Sequence, residues 1–314
     1  MKTIYHRESD FSLNASIVTI GNFDGVHIGH QKIINLAKES AEKSQLPLVV
    51  VSFDPHPGKV LYPGKAPKLI KTRKQKRDLL RKMGVDYFYV INFTPSFAKK
   101  SPEDFVNEVL IDSLGAREIY VGFNFAFGLN RSGNVDFLKK QGEKKGFKVF
   151  PVPPVKVDGE IVSSSAIRKL LEEGNVRKAN RFLGRYYYLE GIVIHGQQIG
   201  RKIGFPTANI ITENELVPRL GVYASYTRLN GHELPSITNI GYKPTFGSEK
   251  IIVETHIFDF NREIYGELIE VKFVDFIRPE KKFDSVESLV SEIKKNCEHC
   301  KKLLLKDGKQ ANDN

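Results

Sequence analysis

The sequence GNFDGVHIGH occupies residues 21–30, after an apolar segment at residues 17–20 and before a segment with Ile33, Ala37 and Ala41 on one helical face. This order predicts a strand, a glycine-bearing turn and the N-terminus of a helix. Unpaired N–H groups and the positive end of the helix dipole make such a turn suited to binding phosphate. The alternative, a surface turn with two histidines, is disfavoured by the strand, glycines and helix around it.

Two kinds of residue in this turn suit phosphoryl chemistry. Glycines let the backbone approach phosphate oxygens closely. His27 and His30 lie three residues apart at the helix start, where both can donate to charge that builds on a phosphoryl group, so we predict that they are catalytic. The residues of the turn that are predicted to bind a nucleotide are Gly21, Asn22, Phe23, Asp24 and Gly25.

Around this turn, the first half of the chain alternates strand and helix signals. One helix is predicted to begin at Ser101, with Pro102 in its first turn, and to end at Gly115. The alternation predicts an α/β domain with a parallel sheet covered on both faces. The strand-like segments are residues 17–20, 48–53, 87–93, 119–121 and 147–152.

The pattern changes after Gly184, where β-rich segments separated by turns such as Asn230-Gly231 replace the alternation. They favour a small antiparallel barrel or sandwich. A closing helix is predicted from Asp284, with Glu287 as its capping-box partner, to about Lys306. The predicted domains are residues 1–184 and 185–306, followed by a polar tail at 307–314; the strand-like segments are 187–194, 222–228, 251–258 and 268–276.

Composition narrows the class of protein. The 314 residues are 40% hydrophobic and 27% charged, which is ordinary for a globular chain long enough for two domains. No apolar run approaches the length of a membrane span, so we expect a cytoplasmic protein with no membrane partner. Cys297 and Cys300 are too few for a disulfide scaffold, and their helical spacing favours core packing over a metal or redox site.

The formal net charge of +11 leaves nucleic acid, membrane phosphate and small anions as candidate partners. The densest basic run, KTRKQKRDLLRK at residues 71–82, is interpreted as the solvated face of a helix. Binders of single-stranded RNA usually place stacking aromatic side chains beside basic residues, whereas Phe and Tyr lie here mainly in strand-like segments, which argues against that class. We therefore expect small-molecule substrates and no nucleic acid partner, and the sequence makes no prediction of a homo-oligomer.

Three more segments accompany the first turn: SFDPHP at residues 52–57, VGFNFAFG at 121–128 and VSSSAIR at 162–168. With the HIGH string they resemble the FMN adenylyltransferase module of prokaryotic bifunctional riboflavin kinase/FAD synthetases, over residues 15–184. HIGH alone is common to the nucleotidyltransferase superfamily, including class I aminoacyl-tRNA synthetases, but a KMSKS-like loop is absent from the sequence. The resemblance implies a Rossmann-like nucleotidyltransferase fold and adds to the predicted nucleotide and flavin site Asn124, Ser163, Ser164, Ser165 and Arg168.

Some of these residues depart from the family pattern or have another explanation. The family often has ISSTxIR, and here Val162 and Ser165 replace its first and fourth residues. At the position of Asn124 the family has Asp or Asn. Ser165 keeps the hydroxyl. For any single serine of the three, capping of the following helix is the alternative.

The second motif, GQQIGRKIGFPTANI, spans residues 196–210. A glycine- and basic-rich loop before a strand suits phosphate binding, although the spacing of a Walker A loop is absent. Thr207 and Asn209 alternate to one side of the strand, and both are hard oxygen ligands suited to Mg²⁺. Taken alone, the pattern is explained somewhat better by a glycine turn before an ordinary strand. The predicted nucleotide-binding residues are Gly200, Arg201, Gly204, Pro206, Thr207 and Asn209.

Later segments extend the second motif: GVYA at 221–224, NIGYKPTFG at 239–247, VETHIFDF at 253–260 and IRPEKKFDS at 277–285. In this order they resemble the riboflavin kinase family, which implies a six-stranded barrel with a C-terminal helix. The resemblance implies that the PTAN residues bind Mg-ATP and that Glu254 is the general base; without it, Glu254 is an outward polar residue of a strand. The family often has Asp where Asn296 stands, and Asn296 is left out of the predicted site.

The leading hypothesis is therefore a bifunctional transferase that uses ATP and Mg²⁺ to convert riboflavin to FMN and FMN to FAD. The alternatives are an adenylyltransferase for another small substrate, with the barrel as a specificity domain, and a basic RNA-binding or regulatory protein on a nucleotide-binding scaffold.

Overall fold

The computed structural model describes residues 1–6, 11–196, 198–245 and 248–312. The chain forms two compact units, Met1–Ser164 and Ser165–Asn314. The division precedes the domain boundary predicted at residue 184, and that boundary stays a prediction.

The first unit combines a parallel sheet with flanking helices. Its elements, in chain order, are β1 (Lys2–Tyr5), β2 (Ser16–Ile20), α1 (Ile28–Ser44), β3 (Leu48–Asp54), α2 (Pro57–Leu61), α3 (Arg73–Lys82), β4 (Tyr87–Asn92), α4 (Pro95–Ala98), α5 (Pro102–Asp104), a π-helix (Phe105–Ser113), β5 (Ala116–Gly122), β6 (Ala126–Phe127), a 3₁₀ helix (Leu129–Arg131), β7 (Gly133–Asn134), α6 (Val135–Lys145), β8 (Lys148–Val152), β9 (Lys156–Val157) and β10 (Glu160–Ile161).

The main sheet has the strand order β1-β4-β3-β2-β5-β8, and every neighbouring pair is parallel. From β2 the chain proceeds through β3 and β4 on one side and then through β5 and β8 on the other. The order therefore reverses between β2 and β5, and such a switch point opens a crevice at the carboxyl ends of the strands. Separate apolar clusters pack against the two faces, as the alternating pattern predicts.

Helix α1 forms as predicted, but its buried face is slightly rotated. Ile34, Ala37 and Ala41 are buried, whereas Ile33 is only half-buried. The helix predicted to open at Ser101 also forms, but after one turn of α5 it continues as a π-helix to Ser113. The adjacent buried pairs Phe105–Val106 and Val109–Leu110 favour this wider turn, because it brings both pairs onto the face that meets the sheet.

The second unit is a barrel with helices before, within and after it. Its elements are α7 (Ser164–Glu172), α8 (Val176–Leu183), β11 (Tyr187–Ile194), α9 (Ile199–Lys202), β12 (Ala208–Thr212), β13 (Gly221–Leu229), β14 (His232–Thr245), β15 (Ser248–Ile257), β16 (Leu268–Arg278) and α10 (Val286–Asn312). Strands β11-β12-β15-β14-β13-β16 form a closed antiparallel barrel. Of the two predicted folds, barrel and sandwich, the barrel is therefore correct. The predicted turn at Asn230-Gly231 joins β13 to β14 with positive φ at both residues.

Helix α8 packs on this barrel, which is why the compact unit begins before residue 184. The Arg177 guanidinium lies 2.8 Å from the Asp275 carboxylate, and the Asn180 side chain donates to the Phe273 carbonyl. Gly184 ends α8 in the left-handed conformation, as expected of a C-terminal glycine.

The start and the end of the closing helix differ from the prediction. Helix α10 begins at Val286, and Ser285 and Ser288 bond each other's backbone in place of the predicted Asp284–Glu287 pair. The Ser285 hydroxyl accepts from the Ser288 N–H at 3.1 Å, so the N-cap is Ser285, one residue after the predicted Asp284. The helix continues past Lys306 to Asn312, into the segment that was predicted to be a polar tail.

The two cysteines lie in the core between α10 and the outer face of the barrel. Cys297 and Cys300 are free thiols, 9% and 0% exposed, in an apolar cluster with Val222 and Ala224. Burial raises the pKa of Cys297 to about 11 and that of Cys300 to about 12. The core-packing interpretation is confirmed.

Candidate active sites

The turn between β2 and α1 lies at the switch point of the sheet, and its backbone is strained. Phe23 and Val26 have φ values of 47° and 41°, which bulky and β-branched residues seldom adopt. Gly25 has a φ of 82°, and a Cβ there would lie 3.1 Å from the Ile70 side chain. The turn therefore needs glycine at this position, and surrounding contacts must hold its other residues in place.

Those contacts fix the turn at successive residues. The Asn22 carbonyl accepts from the Ser52 hydroxyl at 3.1 Å and from the Lys76 ammonium at 3.2 Å. The Asp24 carboxylate accepts from the Ile70 N–H at 3.0 Å and, more weakly, from the N–H of the following residue. The Asp24 side chain, predicted as a ligand contact, is thus bonded to the chain that follows α2.

Two further side chains, those of Ser164 and Gln31, also bond to the backbone of the turn. The Ser164 hydroxyl donates to the Asp24 carbonyl at 2.9 Å, and the Gln31 side chain donates to the Val26 carbonyl at 2.8 Å. Ser164 is the first residue of α7, and its hydroxyl reaches this turn. Ser164 of the predicted serine segment therefore contacts the turn within the first unit.

His27 and His30 form a stacked pair at the start of α1. Their ring centroids are 3.6 Å apart with an interplanar angle of 18°, and the Phe23 ring meets His30 edge-on. His27 is the N-cap, and its Nδ1 accepts from the His30 N–H at 3.3 Å. Because Nδ1 is an acceptor, the imidazole proton of neutral His27 is on Nε2, which makes that nitrogen the donor.

The other predicted residues are distributed over neighbouring strand ends and the second unit. Asn124 is exposed and follows β5, which pairs with β2. At the end of β3, the His56 imidazole and the Asn22 side-chain amide are hydrogen-bonded at 3.2 Å. Ser165 and Arg168 are residues of α7 that belong to the second unit.

The interpretation of the basic run at residues 71–82 as a solvated face is wrong for part of that run. Lys71 and Gln75 are 3% and 1% exposed. The Lys76 ammonium is hydrogen-bonded at the turn, and burial lowers its pKa against the raising influence of Asp24 and Asp54. The burial of these residues could not be predicted from the sequence, because basic residues occur on all sides of α3, including the side that packs on the core.

A cavity of about 410 Å³ lies in the second unit. Glu254 on β15 lines it, whereas the flanking Val253 and Thr255 are 1% and 0% exposed inside the barrel. Since side chains alternate along a strand, the cavity is on the outer face of the barrel, where Leu289, Ile293 and Asn296 of α10 form part of its wall. Its polar and charged lining includes Thr207, Asn209, Asn239, Glu254, His256, Arg278, Glu280, Lys281 and Asn296.

The barrel register aligns the polar groups of this cavity. Glu254 pairs directly with Asn209 on β12 and with Asn239 on β14. Directly paired residues point to the same side of a sheet. The carboxylate therefore stands between two side-chain amides, and on the next strands the row continues to Val222 and Arg278.

The loop before β12 folds closely against this row. A Cβ on Gly196 would lie 2.5 Å from the Asn209 side-chain nitrogen, and one on Gly200 would lie 2.3 Å from the Phe205 carbonyl oxygen. Both glycines are thus required by close packing. Thr207 and Gly200 line the cavity with Asn209, so three of the predicted nucleotide-binding residues share one wall.

The remaining predicted residues of the loop lie elsewhere among the described residues. Arg201 pairs with Glu263 at the surface, Gly204 has a positive φ, and the Pro206 carbonyl accepts from His256 Nδ1 at 2.7 Å. They are not among the described residues that line the cavity. Gln197, and residues 246–247 of the second-motif neighbourhood, lie outside the described residues.

Some residues that line the cavity were missed or excluded by sequence reasoning. Asn239 was quoted in a motif without a role, although its register with Glu254 follows once the strands are paired. Asn296, which was left out, is 7% exposed and lines the cavity from α10. The sequence offered one signal for this position: Asn296 directly precedes Cys297, which was predicted to face the core.

Within the described residues, no group of three or more His, Cys, Asp or Glu side chains is arranged to hold a metal ion. None of the helices in the described part of the chain is both long and apolar enough to cross a membrane.

Comparison with known proteins assigns both units. Residues 10–166 match the family model for FAD synthetase, and residues 183–304 match that for riboflavin kinase. A bifunctional riboflavin kinase/FMN adenylyltransferase of Listeria monocytogenes is 39% identical over 303 residues, covering 94% of this chain and 96% of the relative. One of Bacillus subtilis is 40% identical and covers 90% of each chain.

A solved structure also matches nearly the whole chain. It is described as a macrolide-efflux protein from Streptococcus pneumoniae, is 32% identical, and has a TM-score of 0.88 with coverage of 95% of this chain and 98% of that one. The family models fall on the two halves that the two motif sets had indicated. The chain belongs to the family of bifunctional riboflavin kinase/FMN adenylyltransferases, transferases that phosphorylate riboflavin to FMN with the C-terminal domain and adenylylate FMN to FAD with the N-terminal domain.

Proposed function

We propose that the cavity on the outer face of the barrel is the riboflavin kinase site and that Glu254 is its general base. One observation carries this: Glu254 stands in register between Asn209 and Asn239, and all three line the cavity. A carboxylate beside the ribityl 5′-hydroxyl takes its proton as that oxygen bonds to the γ-phosphorus of ATP. The bond between the γ-phosphorus and ADP breaks in the same displacement.

Mg²⁺ fits this site. The Thr207 hydroxyl and the Asn209 amide oxygen are hard ligands that line one wall of the cavity. Thr207 and Asn209 would hold the ion, which when bound neutralises charge on the nucleotide phosphates. The loop residues Gly200, Arg201, Gly204 and Pro206 are proposed to cover those phosphates.

The turn at the switch point is proposed as the adenylyl-transfer site. There an FMN phosphate oxygen attacks the α-phosphorus of ATP, and the bond to pyrophosphate breaks. His27 and His30 donate to the charge that develops, and the backbone of residues 21–25 lies against the phosphates. The Asp24 carboxylate, bonded to the N–H of Ile70, shapes the turn. Asn124, Ser163, Ser164, Ser165 and Arg168 stay the proposed nucleotide and flavin contacts.

The remaining proposals concern the setting of the enzyme. We place the domain boundary at residue 184 and the enzyme in the cytoplasm, acting on small-molecule substrates without nucleic acid or membrane partners. The basic composition, +11 in formal charge, suits attraction of ATP and FMN, which are both anions.

Glu254→Gln tests the kinase proposal because it removes the base and keeps the shape. FMN formation from riboflavin should fall about 10²-fold or more, since general base catalysis is typically worth 10²–10⁴-fold. FAD formation from supplied FMN should persist. Glu213→Gln, at an exposed position after β12, is the matched control and should leave both rates unchanged. Normal FMN formation by Glu254→Gln would remove Glu254 from the proposal.

His30→Ala tests the adenylyl-transfer proposal. It should lower FAD formation by roughly 10²–10³-fold, the usual cost of one preorganised donor. Riboflavin should still be phosphorylated, so FMN should accumulate. The two flavin products are measured separately by chromatography, and a variant that forms FAD at the normal rate would contradict the role of His30.

A further inference from the structure

The Lys76 side chain joins α3 to the turn between β2 and α1. Its ammonium donates to the Asn22 carbonyl at 3.2 Å and to the Ser52 hydroxyl at 3.0 Å. The Ser52 hydroxyl, whose residue is fully buried at the carboxyl half of β3, donates in turn to the same Asn22 carbonyl at 3.1 Å. Two donors therefore hold one backbone oxygen, and they come from two different elements.

The surroundings keep this ammonium in one place. It lies 5.7 Å from the centroid of the Phe88 ring, which is part of the core beneath α3. The charged groups that face it are the carboxylates of Asp24 and Asp54 and the guanidinium of Arg73. Arg73 is itself paired with Asp54. Lys76 is thus part of a small charge network directly behind the turn.

The carbonyl that Lys76 holds belongs to the peptide bond that precedes the first strained residue. Phe23 follows Asn22 with a φ of 47°, and Val26 closes the turn with a φ of 41°. Such conformations are unfavourable for residues with a Cβ and persist only where neighbouring contacts fix them. If the Asn22 carbonyl were released, the peptide could rotate, and the N–H groups at the start of α1 would no longer have a fixed direction.

We propose that Lys76 is a positioning residue for adenylyl transfer, which fixes the peptide bond between Asn22 and Phe23 so that the turn and His27 meet the phosphates of ATP in one geometry. This inference rests on the proposed adenylyl-transfer site. The ammonium acts through the Asn22 carbonyl.

The test compares Lys76→Met with Lys76→Arg and with Lys74→Met on the same helix. Lys76→Met should raise the KM for ATP and lower kcat in FAD formation, together on the order of 10²-fold in kcat/KM, the cost of misplacing a reacting group by about 1 Å. The KM for FMN should change little. Lys76→Arg keeps a cationic donor and should recover most of the loss. Lys74 is about half exposed and pairs with Asp78, so its variant should match the wild type.

The riboflavin kinase reaction of the same chain serves as an internal control. A purely structural loss would reduce the fraction of chains with a folded first unit, which lowers the apparent kcat of FAD formation and leaves the KM for ATP unchanged. Positioning instead changes the KM for ATP in one reaction and spares the other. If Lys76→Met does not fold, Lys76→Gln, which keeps a polar donor of shorter reach, is measured in its place.

The pH profile gives a second readout. Burial lowers the pKa of Lys76, so the ammonium loses a proton as pH rises through that lowered value, below the ordinary range of lysine. FAD formation by the wild type should therefore decline on the alkaline side. Lys76→Arg should extend activity to higher pH, because a guanidinium keeps its proton there. The kinase reaction should not show this difference between the two proteins.

The outcomes separate the inference from the proposal beneath it. Normal kinetics for ATP in a folded Lys76→Met protein, or a Lys76→Arg protein as defective as Lys76→Met, would overturn the role of Lys76. His30→Ala is run in parallel. If His30→Ala is also fully active in FAD formation, the adenylyl-transfer site has been misassigned; if only Lys76→Met is active, the site stands and Lys76 does not position it.

Discussion

Asp24 and Glu254 are acidic residues within the two motif sets, and their carboxylates have different surroundings. Asp24 is 5% exposed, and its carboxylate accepts from the Ile70 N–H. Glu254 lines a cavity between two amide side chains. A buried carboxylate bonded to backbone N–H groups fixes a loop, whereas one that faces a cavity can exchange a proton with a ligand. Residue type alone does not distinguish these roles.

At the same scale, the cysteines should be inert in the folded protein. With pKa values raised to about 11 and about 12, Cys297 and Cys300 hold a thiolate fraction at pH 8 of about a thousandth or less. Iodoacetamide at pH 8 should label neither thiol in native protein and both in guanidinium chloride, as counted by mass spectrometry. Rapid labelling of the native protein would contradict their burial.

Replacing both cysteines measures what their packing contributes. Cys297→Ala with Cys300→Ala should lower the free energy of unfolding by on the order of 1–3 kcal/mol. Both activities should remain wherever the variant is folded. Loss of either activity in a demonstrably folded double variant would show that the thiols do more than fill the core.

At the scale of the element, the loop before β12 is defined by how closely it packs. Gly196→Ala would place a Cβ 2.5 Å from the Asn209 side-chain nitrogen, so the amide must move. Because Asn209 is a proposed Mg²⁺ ligand, FMN formation should fall, on the order of 10²-fold for a displacement of about 1 Å. FAD formation from FMN should not change.

The control for this variant is Gly308→Ala in α10, where a Cβ would meet no atom within 4 Å. That change should leave both rates unaltered. The measurement is the dependence of each reaction on ATP and Mg²⁺. An unchanged rate of FMN formation by Gly196→Ala would mean that the kinase reaction does not depend on the position of the Asn209 amide.

At the scale of the whole molecule, the two sites should work as independent catalysts linked by free FMN. Neither Glu254→Gln nor His30→Ala alone should convert riboflavin to FAD efficiently. An equimolar mixture should do so, because FMN released by the His30→Ala protein is a substrate for the Glu254→Gln protein. If the mixture forms no FAD although each variant retains its own remaining reaction, FMN does not leave the chain that makes it.

Metal dependence should also extend over both sites. EDTA should stop both reactions and added Mg²⁺ should restore them, since both handle nucleotide phosphates. Thr207→Ala should raise the Mg²⁺ requirement of FMN formation alone. Elemental analysis of the purified protein should give no stoichiometric zinc, and tightly bound zinc would contradict the oxygen-ligand assignment.

Much of the architecture followed from the sequence because it is encoded locally. The period of apolar residues distinguished the α/β half from the β-rich half, and Asn230-Gly231 marked a turn that the structure contains. The two motif sets identified the family, because the order and spacing of short segments can be recognised in a sequence without knowledge of the fold. The cap of α10 was displaced by one residue because two serines competed with the expected pair.

Tertiary structure alone decided which side chains meet. Lys76 looked solvated within a run of basic residues, yet it is bonded to Asn22, whose carbonyl lies 54 residues earlier in the chain. Asn239 and Asn296 joined the cavity of Glu254 only through the barrel register and the packing of α10. Local sequence specifies the elements because their periodicity and caps depend on near neighbours. The contacts at a site depend on strand order and register, which are set by burial across the whole unit.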